Sequence, residues 1–282
     1  MALIREIDLL EYLATDENTR VLAFYVEGFD RGEGRRFVQA AAALPKPVIV
    51  LKAGKTAAGT RAVTSHTASL AGDYDVARSC LEAAGVVVAE SLDEFEDLIK
   101  TFTLLGDRPA AGGRVGILSN AGFECSVAAD RLGNLELARF SEKTVKVLGD
   151  NLPTGFIDVH NPIDATPAIT TEKYGNCIEA ILADGGVDCA VVSNVASTPF
   201  QENLPAGPGH REDINHESSH PNTIIRLFRS TGKPMVVCLN EGAIYDPAVE
   251  MMERAGVPVY RKIDRAVRSL RAFVRLKSRK TD

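Results

Sequence analysis

His66 stands alone in a run of small, hydroxyl-bearing and cationic residues, AGKTAAGTRAVTSHTASLAG, from Ala53 to Gly72. A neutral imidazole is a competent nucleophile near pH 7. Free backbone N–H groups in a glycine-bearing loop hold anionic oxygens. The composition suits a phosphate-cradling loop presenting a nucleophilic histidine; the competing reading is a solubilising loop whose histidine bonds locally. Gly54-Lys55-Thr56 carries the Lys-Thr pair of a nucleotide-binding P-loop, but Ile49 stands where that motif needs its first glycine. Upstream, Glu27 closes an apolar run and opens the turn Gly28-Phe29-Asp30-Arg31-Gly32. A carboxylate there could accept an imidazole N–H, fix its tautomer and stabilise the charged ring; the alternative is a capping turn with a solvated glutamate. A second strand-to-helix passage, Ser119-Asn120-Ala121-Gly122-Phe123-Glu124-Cys125, is another candidate anion cradle. It lacks the GxGxxG spacing of a dinucleotide site.

Two further patterns carry less. His216-Glu217-Ser218-Ser219-His220 matches the HExxH string of zinc peptidases, with His210 as a third candidate ligand. Pro221 disfavours helical geometry at His220, and that chemistry needs both histidines on one helical face, so the string reads as a chance match and no metal site is expected. The five cysteines (Cys80, Cys125, Cys177, Cys189, Cys238) are scattered without a Cys-x-x-Cys pair, which fits reduced cytoplasmic thiols.

The elements that must position these residues alternate. Apolar runs at 21–26, 47–51 and 86–88 read as strands buried on both faces. Helices are expected at 35–44, 74–84 (capped by Asp73, ended by Gly85) and 92–105 (capped by Ser91). The stretch 52–72 reads as a long loop. Pro and Gly crowd 106–113, placing a boundary near 108 and domains at 1–108 and 109–282. Beyond it, strands are expected at 114–118, 135–138, 188–192, 235–239 and near 257–260. Helices are expected at 123–132, 141–148, 171–184, 221–230, 243–255 and 263–277, with a long polar insertion at 199–221. The last helix carries a basic face (Arg265, Arg268, Arg275) opposite Ile263, Val267 and Leu270. Alternating strands and helices imply α/β architecture with parallel sheets, here two flavodoxin-like, doubly wound domains.

The whole has 282 residues, 45% hydrophobic and 25% charged, with 32 Lys and Arg against 38 Asp and Glu for a net charge of −6. These are globular values. A mildly acidic chain argues against a nucleic-acid or membrane-surface binder. No apolar run approaches a membrane span, and MALIREIDLLEYL is not a secretory signal, so a cytoplasmic location is expected.

The segment Ala53–Gly72, the later Leu81-Glu82-Ala83-Ala84-Gly85-Val86-Val87-Val88 and the upstream VLAFYVEGFDRGEGRRFVQAA (21–41) resemble the phosphohistidine domain of NDP-forming acyl-CoA synthetases, relatives of succinyl-CoA synthetase. RVGILSNAGFECSVAADRL (114–132) and NPIDATP (161–167) resemble the family's second flavodoxin-like domain. The resemblance implies an acid–thiol ligase relaying a phosphoryl group through His66 between acyl phosphate and ADP or GDP. It implies that Glu27 orients the imidazole. It places Gly28, Phe29, Ser65 and Thr67, with Asn120, Gly122 and Phe123 of the second domain, around the phosphate, which two helix N-termini would face. CoA, ATP or GTP and Mg²⁺ would enter through a CoA-binding domain and an ATP-grasp domain or subunit outside this chain, with a carboxylic acid or acyl-CoA as substrate. The fragment alone would then be inactive, with surfaces that could self-associate into a homo-oligomer. Departures from the pattern are Ala68 for glycine and Phe123-Glu124-Cys125 for Gly-Pro-Gly; a glutamate at that helix start competes with phosphate for the same positive field. The alternative is a non-catalytic regulatory or ligand-sensing module of the same family, for example one cut from an acetyltransferase fusion.

Overall fold

A computed structural model describes residues 4–67, 72–106, 108–153 and 159–279. They form two compact units, Met1–Gly106 and Asp107–Asp282.

Unit 1 runs α1 (Glu6–Thr15), β1 (Leu22–Val26), α2 (Glu33–Ala43), β2 (Val48–Lys52), α3 (Ala57–Thr67), α4 (Tyr74–Ala83), β3 (Val87–Ala89) and α5 (Leu92–Leu105). The three strands are parallel in the order β1-β2-β3. Strand side chains alternate across the sheet. Leu22, Phe24, Val26, Val48, Val50 and Val88 meet Ile7 and Leu10 of α1, Phe37 and Ala41 of α2 and Leu81 of α4 in one buried cluster. Phe24 meets Phe37 edge-on at 5.3 Å, a geometry the ring quadrupoles favour. Helix α5 packs on β2 and β3. Asp73 and Ser91 cap α4 and α5 as the sequence indicates, accepting from Val76 N at 3.0 Å and Glu94 N at 3.2 Å. Gly85 takes φ +79° just past α4, the left-handed step that suits glycine at a helix end.

Two sequence expectations change here. Helix α1 was not anticipated. The expected loop 52–72 contains α3: Ala57, Ala58 and Ala62 favour helix, and Thr56 Oγ1 accepts from Gly59 N at 3.1 Å as a cap. Glycines and threonines masked that propensity.

Unit 2 runs β4 (Arg114–Ser119), α6 (Gly122–Ala129), β5 (Glu136–Leu137), α7 (Glu142–Asn151), β6 (Ile163–Asp164), α8 (Thr171–Ala183), β7 (Cys189–Asn194), α9 (His220–Ser230), β8 (Met235–Leu239), a 3-10 turn at Ala243–Tyr245, α10 (Asp246–Arg254), β9 (Val259–Tyr260) and α11 (Ile263–Arg279). All pairings are parallel, in the order β5-β4-β7-β8-β9, with β6 also on β4. Ignoring the two-residue β6, this is the flavodoxin order, whose crevice opens beyond the carboxyl ends of the first and third strands. Here those ends are Ser119 of β4 and Asn194 of β7. Strands β7 and β8 are buried at every position, as continuous apolar runs in a doubly covered sheet require. The basic helix α11 buries Ala266, Val267, Leu270, Phe273 and Val274; its Arg265 and Arg268 are half-buried, while Arg275 and Arg279 are exposed.

Candidate functional site

The turn that follows β1 carries the first residues singled out by the sequence. Glu27 follows β1 and is half-buried. Tyr25 Oη donates to Glu27 Oε1 at 3.3 Å. Gly28 and Phe29 lie in the turn after it, and Phe29 packs inward against Phe37 at 5.1 Å. The helix after this turn, expected from residue 35, begins at Glu33, behind a left-handed Gly32 with φ +87°. Its first turn already holds a carboxylate, Glu33, which pairs with Arg5; Arg5 also reaches Asp30 at 3.2 Å. Glu33 thus occupies the positive end of the macrodipole, and Gly28 and Phe29 are not its N-terminal residues.

His66 lies in the last turn of α3. Its side chain and that of Thr67 fall outside the described residues, as does all of Ala68. Ser65 is exposed, and its Oγ donates to Ala62 O at 2.7 Å. The cations of the motif divide. Lys55 is paired with Glu90, which also holds Arg78; the Lys55 hydrogen bond, with Arg78 beside it, holds the Glu90 carboxyl below its usual range. Arg61 is exposed. Lys52, which sequence reasoning did not single out, is only 5% exposed. Its Nζ donates to Glu27 O at 2.8 Å and Ala53 O at 2.6 Å. The available signal was a lysine terminating an otherwise apolar strand.

The second cradle turns inward. Asn120 is fully buried. Its Nδ2 donates to Asn194 Oδ1 at 2.7 Å and Val195 O at 3.0 Å, and its Oδ1 accepts from Val195 N at 2.8 Å. Asn194 Nδ2 is 3.4 Å from Asn203 Oδ1, so an amide chain from the 199–219 segment spans the strand ends. Glu124, expected to face the helix start, is fully buried. Its Oε2 accepts from Ser119 Oγ at 2.8 Å and Ser193 Oγ at 2.5 Å, and its Oε1 from Asn240 Nδ2 at 3.2 Å. Phe123 is 56% exposed. A Cβ at Gly122 would lie 2.7 Å from Asp164 Oδ2, so a side chain there would push that carboxylate aside. Asp164 and Gly122 line a pocket of about 460 Å³ with Cys125, Ser126 and His160. Burial pushes the Cys125 thiol up to about 12, which leaves it protonated and unreactive at neutral pH. The start of α6 therefore meets one carboxylate inside the sheet edge and another in the pocket.

The HExxH string is split. His216 is exposed on a loop, with Nδ1 3.1 Å from Glu202 Oε2. His220 is the first residue of α9, fully buried against Tyr174 at 5.6 Å between ring centroids. Neither of its ring nitrogens has a hydrogen-bond partner among the described residues. Among those residues no three His, Cys, Asp or Glu side chains are grouped to hold a metal ion. Burial pushes the His220 imidazole down to about 4. The unfolded chain, titrating near 6.5, binds the proton more readily, so the contribution is intact above pH 6.5 and is lost as pH falls from 6.5 toward 4. Urea unfolding at pH 7 and pH 4.5 should differ by up to about 3 kcal/mol from this group. His220→Phe should flatten that part of the pH dependence; an unchanged profile would show that another group sets it.

Comparison with known proteins adds the following. Residues 1–102 match the model of the succinyl-CoA ligase like flavodoxin domain. The chain is 34% identical over 262 residues to acetate–CoA ligase [ADP-forming] II subunit alpha of Pyrococcus furiosus, covering 90% of this chain and 53% of that protein. It is 31% identical over 273 residues to acetate–CoA ligase [ADP-forming] I of Archaeoglobus fulgidus, covering 95% of this chain and 36% of that one. A solved dinucleotide-forming acetyl-coenzyme A synthetase 1 from Ca. Korarchaeum cryptofilum, in complex with phosphate and ADP, is similar with a TM-score of 0.85 at 26% identity, over 98% of this chain and 57% of that one. The chain thus spans between about a third and just over half the length of these relatives. No helix among the described residues is long and apolar enough to cross a membrane.

Proposed function

Since this chain belongs to the NDP-forming acyl-CoA synthetase family, among relatives that are ADP-forming acetyl-CoA ligases, we propose that it is the phosphohistidine-bearing part of an acid–thiol ligase. A ring nitrogen of His66 takes the phosphoryl group from an acyl phosphate; the bond between phosphorus and the acyl oxygen breaks and a carboxylate leaves. The same nitrogen then yields the group to ADP or GDP. Glu27 accepts the N–H of the opposite ring nitrogen and steadies the positive charge that develops on the ring. Ser65, Thr67, Gly28 and Phe29 border the group. What supports this reading is that Glu27, directly after β1, and His66, on the helix that follows the neighbouring strand β2, both stand within motifs that resemble the family's. CoA and the nucleotide with Mg²⁺ reach the reaction through a CoA-binding module and an ATP-grasp module outside these residues, and the acid is selected there.

The inward commitment of Asn120 and Glu124, with Asp164 beside Gly122, favours a different role for unit 2: a scaffold whose own carboxylates fill the positions a phosphate would take. To test the main reading, the assembled ligase is incubated with γ-labelled ATP. The expected result is a protein-bound label that is labile in acid and stable in alkali, recovered in the peptide containing His66. An alkali-labile label, or one recovered in another peptide, would overturn it.

A further inference from the structure

We propose that Lys52 is a positioning residue for this phosphoryl transfer, fixing Glu27 against the helix that carries His66. The inference rests on the reading just given and deepens it.

The geometry is a chain of contacts within unit 1. Strands β1 and β2 pair in register through Val26 and Lys52, and the backbone is locked once more where Ala53 N donates to Val26 O at 2.9 Å. From that point the two chains diverge, one into the Glu27 turn and one toward α3. The Lys52 ammonium sits in the fork. Its bonds to Glu27 O and Ala53 O tie both branches to one atom. Gly54 follows in a left-handed conformation, φ +84°, and a Cβ there would lie 3.9 Å from Lys52 Nζ and 3.7 Å from Thr60 Oγ1. Thr60 Oγ1 in turn donates to Gly54 O at 3.1 Å, and Thr60 N donates to Thr56 O at 2.8 Å, carrying the connection into α3.

Position alone does not explain a lysine. Burying an ammonium costs free energy that an apolar side chain of the same length avoids. That cost is visible: burial pushes the Lys52 ammonium below its usual range, while the negative charge of Glu27 supports its charged form. An ammonium has three donors, and two are spent on carbonyls of the diverging branches. Methionine would fill the same space but tie neither branch. What the charge adds is a fixed separation between the two segments and a cation beside Glu27. Small displacements of a positioned group cost about 100-fold in rate, so an anchor at this fork acts on the reaction through Glu27.

The test is a double-mutant cycle in the assembled ligase, this chain with its nucleotide- and CoA-binding modules, reading the rate of His66 labelling from γ-labelled ATP. Lys52→Met should slow labelling by about 10- to 100-fold with KM for ATP unchanged. On a Glu27→Gln background the same substitution should cost no further rate, because the lysine acts through that carboxylate. A wild-type rate in Lys52→Met, an equal loss in both backgrounds, or a shift confined to KM would overturn the proposal. His66→Asn separates the two layers: if it labels like wild type, the phosphohistidine reading itself fails, whatever Lys52 does. Should Lys52→Met not fold, judged by circular dichroism, Lys52→Gln, which keeps a polar end but loses the charge and the reach, replaces it in the same cycle, with the same outcomes decisive.

Discussion

Replacing His66 with asparagine should abolish the acid-labile label, lowering phosphoryl transfer by on the order of 1,000-fold or more, as loss of a nucleophile does. Asparagine keeps a polar side chain that can bond Glu27, but its amide nitrogen has no free lone pair to attack phosphorus. The fold should survive, because position 66 is in the last turn of α3, where a poorer helix former costs little beyond about 0.5 kcal/mol. Thr64→Ala is the matching control. The Thr64 hydroxyl is exposed and already bonded to Thr60 O, so its removal should leave labelling within about 3-fold, the equivalent of less than 1 kcal/mol. The measurement is a time course of label retention after acid and alkali treatment. Label at wild-type level in His66→Asn would end the assignment of this histidine.

Glu124→Ala should be the most destabilising single substitution in unit 2. It leaves Ser119 Oγ, Ser193 Oγ and Asn240 Nδ2 without their shared acceptor. Each buried polar group stranded in this way costs about 1–3 kcal/mol, and the lost side chain opens a cavity besides. Local relaxation recovers part of the loss, giving a net of about 4 kcal/mol. For a unit of this size that lowers the melting temperature by about 10 °C, which calorimetry on the intact chain would read. Phe123→Ala, one residue away but 56% exposed, should shift it by less than about 2 °C. Equal effects at both positions would show that the carboxylate network holds nothing together.

Strands were legible because buried parallel strands are unbroken apolar runs: 235–239 is identical in sequence reading and structure, and β1, β2 and β7 differ only at their ends. Helix α3 was not, because its alanines are interrupted by Gly59 and by threonines that serve turns as readily as caps. Strand β6 has two residues, too few for any period to show. At the candidate site, the types of Glu27, His66 and Glu124 could be read but not their directions. Glu124 shows why: a helix-start glutamate normally points to solvent, and only the arrival of Ser193 in β7 and Asn240 just after β8, both distant in sequence, draws it inside. Lys52 was overlooked for the same reason. Its partners are backbone carbonyls, which leave no mark on composition.

The segment between β7 and α9 invites trimming by anyone seeking a smaller protein, since its Pro, Gly and charged residues look like ornament. Yet Asn203 meets Asn194 and sits fully buried over the strand ends, while Glu212 Oε2 closes the segment on itself through Asn203 N at 2.7 Å and Leu204 N at 3.1 Å. It behaves as a keystone wedged into the rim, so a shortened version would loosen the masonry it rests on, and grafted tags or insertions belong elsewhere.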